Sequence, residues 1–263
     1  MYAFELHMAD SLANAVELLA QTGGKPLAGG QSLVAAMKLR LAVPGALVDL
    51  ANVQEMKGIR KEGNAIVIGA MTRHAEVAAS DVVKGAIPAL AALAEGLGDR
   101  QVRNMGTLGG SLANNDPAAD FPAALLALGA TVNSNKRAIA ADDFFKGMYE
   151  TALADGELIA SVSFPIPTKA AYMKFPQPAS RFALVGVFVA QTAGGVRVAV
   201  TGAAPSVHRA TAMEQALTKS FTADAARAVK IDPTHLNGDL HGSPAYRAHL
   251  VSVMAARAVA ACG

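Results

Sequence analysis

Apolar residues recur along the chain in short blocks that alternate between a helical and an extended spacing. Leu12, Val16 and Leu19 share one helical face, behind a cap supplied by Asp10 or Ser11, and Gly23-Gly24 stop the helix. A short strand then leads into the glycine turn "PLAGGQSL", and "SLVAAMKLRLA" resumes the helical spacing. Pro44-Gly45 separate that helix from the strand "ALVDL", and "AIVIGAM" predicts another strand. "HAEVAAS" and "IPALAALAEGLG" predict helices that lead to a second glycine turn, "MGTLGGS", too rich in glycine for a helix. Pro117 is expected to open the next helix, "PAADFPAALLALGA". "TVNSNKRAIA" and "ELIASVSFPIP" predict strands around a "DDFFKG" turn, and Pro165 with Pro167 mark a boundary. Beyond it "RFALVGVFVAQT" and "GVRVAVTGAA" form two strands joined at Ala193-Gly194-Gly195, and helices follow at about 208–219, 222–229 and 243–261. Strands followed by helices predict a smaller α+β unit, a three-stranded antiparallel sheet with a helical bundle.

Composition narrows the chemistry. The 263 residues are 52% hydrophobic, enough for a substantial core in one large or two ordinary domains. A net charge of +2, with no basic run interleaved with aromatics, gives nucleic acid no footprint. No run of about eighteen apolar residues is present to span a membrane, and the N-terminus lacks a basic leader region, so a cytoplasmic location is expected. Cys262 is the only cysteine, so this chain forms no internal disulfide and cannot ligate an iron–sulfur cluster or a zinc ion through thiolates. The six histidines, His7, His74, His208, His235, His241 and His249, show no metal-ligand spacing and read as surface or supporting residues. No metal site and no catalytic acid, base or nucleophile is assigned.

The two glycine turns carry the chemistry. A tight turn that exposes several backbone N–H groups makes a concave anion site, and a helix beginning just after it adds its positive dipole end. Glycine lets an anion approach and tolerates positive φ. Ser32 and Ser111 follow the glycine pairs and add hydroxyl donors, so two such turns suit the diphosphate of a dinucleotide. No G-x-G-x-x-G, G-x-x-x-x-G-K-[ST] or G-x-S-x-G pattern explains the glycines otherwise.

Four stretches, "KPLAGGQSLVAAMKLRLAVPGALVDL", "IGAMTRHAEVAAS", "VRNMGTLGGSLANNDPAAD" and "DLHGSPAYRAHLVSVMAARAVA", resemble the FAD-binding medium subunit of the molybdenum hydroxylases (the xanthine oxidase family), in its carbon monoxide dehydrogenase-like branch. The resemblance covers nearly the whole chain. It implies an α+β fold: an FAD-binding domain of the p-cresol methylhydroxylase/vanillyl-alcohol oxidase type over residues 1–170, then a flavoprotein C-terminal domain over 171–263. It also implies that Pro26, Leu27, Ala28, Gly29, Gly30, Gln31, Ser32 and Leu33, with Thr107, Leu108, Gly109, Gly110 and Ser111, hold the FAD diphosphate. Asp120 matches the family's acidic residue near the cofactor, and Leu97 a position packed against it, although Leu97 also reads as a plain core leucine. Met105 stands where relatives often have a basic residue. Phe182 stands where some relatives place a tyrosine beside the flavin ring, which leaves ring packing without a phenol hydrogen bond.

The function so implied is electron transfer: FAD accepts electrons from 2Fe-2S clusters in a small subunit, which took them from the molybdopterin cofactor of a large subunit, and an external acceptor receives them. A dimer of three-chain units is expected. A self-sufficient FAD oxidoreductase of the same fold and a non-enzymatic flavin-binding or assembly module are the alternatives.

Overall fold

The computed structural model describes residues 1–262. A three-stranded parallel sheet opens the chain, in the order Glu5–Met8, Ala46–Asp49, Lys25–Leu27. The helix Leu12–Thr22 crosses over it, capped by the Ser11 hydroxyl and closed by Gly23 at φ 61°. A five-stranded antiparallel sheet follows, in the order Ile59–Glu62, Ala65–Gly69, Ile159–Pro165, Thr131–Ser134, Ala138–Ala140. Between its second and third members in sequence lie the helices that approach the second glycine pair. The expected strand "TVNSNKRAIA" is two strands in this sheet, folded back on each other at Asn135–Arg137.

The last third of the chain is a four-stranded antiparallel sheet, Lys169–Pro176, Ala183–Thr192, Gly195–Thr201 and the two-residue His208–Arg209, with helices Thr211–Lys219, Ala223–Ala228 and Pro244–Ala261. The expected three-stranded sheet has four strands: Lys169–Pro176 pairs along Ala183–Thr192, Tyr172 opposite Phe188, and His208–Arg209 is the fourth. His208 and Arg209 extend the sheet rather than start a helix.

The central strand Ala183–Thr192 is buried on both faces, and its period-2 alternation divides two cores. Phe188 and Ala190 join the core built on the wholly buried helix Phe121–Leu128, while Val185, Val187 and Val189 face Val251, Met254 and Ala255 of Pro244–Ala261. Phe121 and Phe188 are fully buried, each a gain of roughly 1.5–3 kcal/mol over exposure. This packing fixes the C-terminal sheet against the N-terminal helices, and the cleft lies along their junction.

Two expectations fail at the second glycine stretch. Leu108–Asn114 is a helix with Gly109 and Gly110 in its first turn, capped by the Thr107 hydroxyl, which accepts from the Gly110 amide at 3.2 Å. Tertiary contact overrides glycine's poor helix propensity here: a Cβ on Gly109 would lie 2.6 Å from Ala70 Cβ and 2.9 Å from Ala70 O. The next helix opens at Phe121 rather than Pro117, with Pro122 in its first turn; Pro117–Ala118 is a turn held by the Asp116 carboxylate, which accepts from the Ala118 amide at 2.8 Å.

Candidate functional site

The first glycine turn leaves the strand Lys25–Leu27 and reaches the helix Leu33–Lys38 through Ala28–Ser32. Gly30 takes φ 71°, a conformation that disfavours any side chain. Among the described residues, the backbone N–H groups of Ala28, Gly29, Gly30, Gln31 and Ser32 have no protein acceptor, and the Ser32 hydroxyl caps nothing. So many donors without a protein partner, gathered in one turn, suit an outside acceptor rich in oxygen.

The second stretch packs backbone to backbone against the first. A Cβ on Gly29 would lie 2.1 Å from Met105 O and 2.7 Å from the Gly106 Cα. Here the sequence-based picture needs correction, because the amides of the second stretch are already engaged. Leu108 donates to Thr72 O at 3.0 Å, Gly109 to Ala70 O at 2.8 Å and Ser111 to Thr107 O at 3.1 Å. Leu108 is fully buried in the core and offers a ligand neither side chain nor amide. Gly110 has no positive φ; a Cβ there would lie 2.9 Å from Thr107 Oγ1 and 3.5 Å from Ala28 Cβ. The glycine pair in this stretch serves close packing, and the Thr107 amide has no protein acceptor.

A cleft of about 580 Å³ joins these parts, within the range of small-molecule sites. Its lining contains Pro26, Leu27, Ala28, Gly29, Gly30, Gln31, Ser32, Leu33, Leu97, Thr107, Gly109, Gly110, Ser111, Asp120 and Phe182, that is, every expected contact except Leu108. Leu97 is half-buried on the core, and Phe182 sits 48% exposed in the loop that follows Lys169–Pro176. Arg181, beside it at φ 62°, reaches across to donate to Gly98 O at 3.2 Å, so the C-terminal sheet supplies one wall.

Asp120 is buried and stands between the cleft and the second domain. Its carboxylate accepts from the Tyr172 hydroxyl and pairs with Lys174 Nζ at 3.1 Å. Burial raises its pKa above the ordinary carboxylate value, against the pull of Lys174. Glu157, also on the lining, is held near 2 by the Arg137 guanidinium, and also accepts from the Ala154 amide and the Ser134 hydroxyl.

His74, expected as a surface or supporting residue, lines the cleft; it is 7% exposed, and its ring lies tilted against Phe121 with centroids 5.3 Å apart. Burial, assisted by the Arg103 charge, lowers it to about 4, so it is neutral near pH 7. Among the described residues no cluster of His, Cys, Asp or Glu can hold a metal ion, and no helix is long and apolar enough to cross a membrane.

Residues 2–167 match the FAD binding domain in molybdopterin dehydrogenase, and residues 170–262 match the CO dehydrogenase flavoprotein C-terminal domain. The chain is 36% identical to the carbon monoxide dehydrogenase medium chain of Hydrogenophaga pseudoflava, over 97% of this chain and 96% of that one. It is 35% identical to the nicotine 6-hydroxylase medium subunit of Paenarthrobacter nicotinovorans, over 96% and 95%. In three dimensions it matches the carbon monoxide dehydrogenase from Hydrogenophaga pseudoflava which lacks the Mo-pyranopterin moiety of the molybdenum cofactor, with a TM-score of 0.90 and 37% identity, covering 99% of this chain and 97% of that one. An amide-rich glycine turn, a two-domain cleft and full-length likeness agree: this chain belongs to the family of FAD-binding medium subunits of molybdenum hydroxylases.

Proposed function

We propose that the cleft binds FAD noncovalently and that its diphosphate sits on the turn Ala28–Ser32. The observation that carries this reading is the row of amides in that turn without a protein acceptor, beside the unpaired amide of Thr107. Charge-assisted hydrogen bonds of about 1.5–3 kcal/mol each hold the anion there. No cysteine or histidine lies in either glycine stretch to form a covalent link. Phe182 packs as a ring without a hydroxyl, Leu97 gives apolar contact, and Asp120 accepts from a cofactor hydroxyl while Lys174 and Tyr172 hold it in place. Met105 contributes its backbone carbonyl to the wall of the first turn, and its exposed side chain leaves the loop uncharged. FAD bound here supplies the redox chemistry that connects cluster-borne electrons to an external acceptor.

In the assembled enzyme this chain occupies the medium position, with a small iron–sulfur subunit and a large molybdenum subunit, as a cytoplasmic dimer of three-chain units. The two domains divide at about residue 170. Anaerobic addition of carbon monoxide, an aldehyde or an N-heterocycle to the isolated, flavin-loaded chain tests the assignment. The visible absorption is expected to persist, and to bleach only after both partner subunits are added. Rapid bleaching of the isolated chain would make it a self-sufficient oxidoreductase instead.

A further inference from the structure

His74 begins the helix His74–Ala79, and its amide donates to Gly106 O at 3.0 Å, which ties it to the start of the second glycine stretch. Its ring lies between Phe121 and the cleft. Nδ1 is fully buried and has no hydrogen-bond partner. A neutral imidazole carries one N–H and one lone pair. Leaving a buried N–H without an acceptor is costly, so the proton is favoured on Nε2, the nitrogen turned toward Gly106 and the cleft.

Gly106 explains why that nitrogen remains open. Its backbone is extended, at φ −61° and ψ 142°, which any residue adopts, so conformation does not require glycine there. Space does: a Cβ would lie 2.6 Å from His74 Nε2. The Gly106 Cα in turn lies 2.7 Å from where a Cβ on Gly29 would fall, so Gly106 adjoins both the imidazole edge and the first turn. The unpaired Thr107 amide is the next residue along.

We infer that His74 is a phosphate-binding residue of the cleft, donating Nε2–H to the anion held on the Ala28–Ser32 turn, and that Gly106 is glycine so that this edge stays uncovered. This rests on the reading that the cleft takes FAD, and adds to it a neutral donor with no positive charge of its own. A histidine in this place favours a diphosphate over the uncharged ribityl portion, because the bond gains most from an anionic acceptor.

The test is equilibrium binding of FAD, ADP and riboflavin to the full-length apo chain, for the wild type and for His74→Leu, His74→Gln and Gly106→Ala, with thermal melting to confirm that each variant is folded. ADP carries the diphosphate without the ribityl chain, and riboflavin the reverse. His74→Leu is expected to weaken FAD and ADP by about tenfold or more and to leave riboflavin unchanged. His74→Gln, with an N–H at similar reach, restores most of the affinity, and Gly106→Ala repeats the loss by covering the imidazole with the histidine still present. Unchanged ADP affinity in folded His74→Leu, or an equal loss for riboflavin, would overturn the inference. Failure of the wild type to bind FAD would overturn instead the reading of the cleft on which it rests.

Discussion

Lys174 and Asp120 form an ion pair across the junction of the two domains, Nζ to carboxylate 3.1 Å, with the two side chains 12% and 3% exposed. Lys174 also donates to Gly96 O at 2.9 Å, so one ammonium ties the C-terminal sheet to both the helix Pro88–Glu95 region and the start of Phe121–Leu128. Removing one member of a buried pair strands the other charge, at a cost of about 3–5 kcal/mol. Asp120→Asn is therefore expected to lower stability by that order in urea unfolding, and Asp120→Asn with Lys174→Met to recover most of it. Near-additive losses in the double variant would show that the pair is not coupled.

The same carboxylate separates two candidates for cofactor contact. Asp116 holds its own turn through the Ala118 amide and accepts from Tyr149 at 3.2 Å, whereas Asp120 is held from outside its own segment. Asp120→Ala is expected to release flavin more readily than Asp116→Ala in a release titration. The reverse order would assign the cofactor contact to Asp116.

Gly109 and Gly45 give a contrast in packing. A methyl group on Gly109 would meet Ala70 at 2.6 Å, while one on Gly45 would meet nothing within 4 Å. Gly109→Ala is expected to cost about 1–3 kcal/mol by overpacking. Gly45→Ala is expected to stay within about 0.5 kcal/mol. Thermal melting of the two variants beside the wild type checks the difference.

These contrasts also mark what the sequence made legible. The first turn could be read because Gly30 answers a local demand, a positive φ, although Gly29 owes its bare Cα to the distant Met105 carbonyl. The second pair looked alike on paper but answers a distant one, the Ala70 backbone, and local pattern holds no record of that contact. The strand Lys169–Pro176 escaped notice because its lysines and terminal proline hide an alternation that only pairing with Ala183–Thr192 reveals. His74 had no acidic partner at ligand spacing to recommend it; it packs against Phe121, far along the chain.

Acid should weaken the apo protein through His74. Its value of about 4 in the folded chain lies below the ordinary 6.5, so between those pH values the unfolded chain binds a proton that the folded chain does not. The associated stability is complete above about pH 6.5 and is lost as pH falls toward 4. The difference in unfolding free energy between wild type and His74→Leu, measured from pH 7.5 to 4, is expected to decline across that window. A flat difference would mean that the imidazole takes up its proton at the same pH in the folded and the unfolded chain.

The central claim is that the turn Ala28–Ser32 holds the cofactor, and titration of the apo chain with FAD tests it most directly. The wild type and Gly45→Ala are expected to bind one FAD per chain. Gly29→Ala, whose methyl group would fall 2.1 Å from Met105 O, and Gly30→Val, whose branched side chain resists φ 71°, should lose that binding while their melting transitions still report a folded protein. Full flavin content in both folded variants would contradict the account.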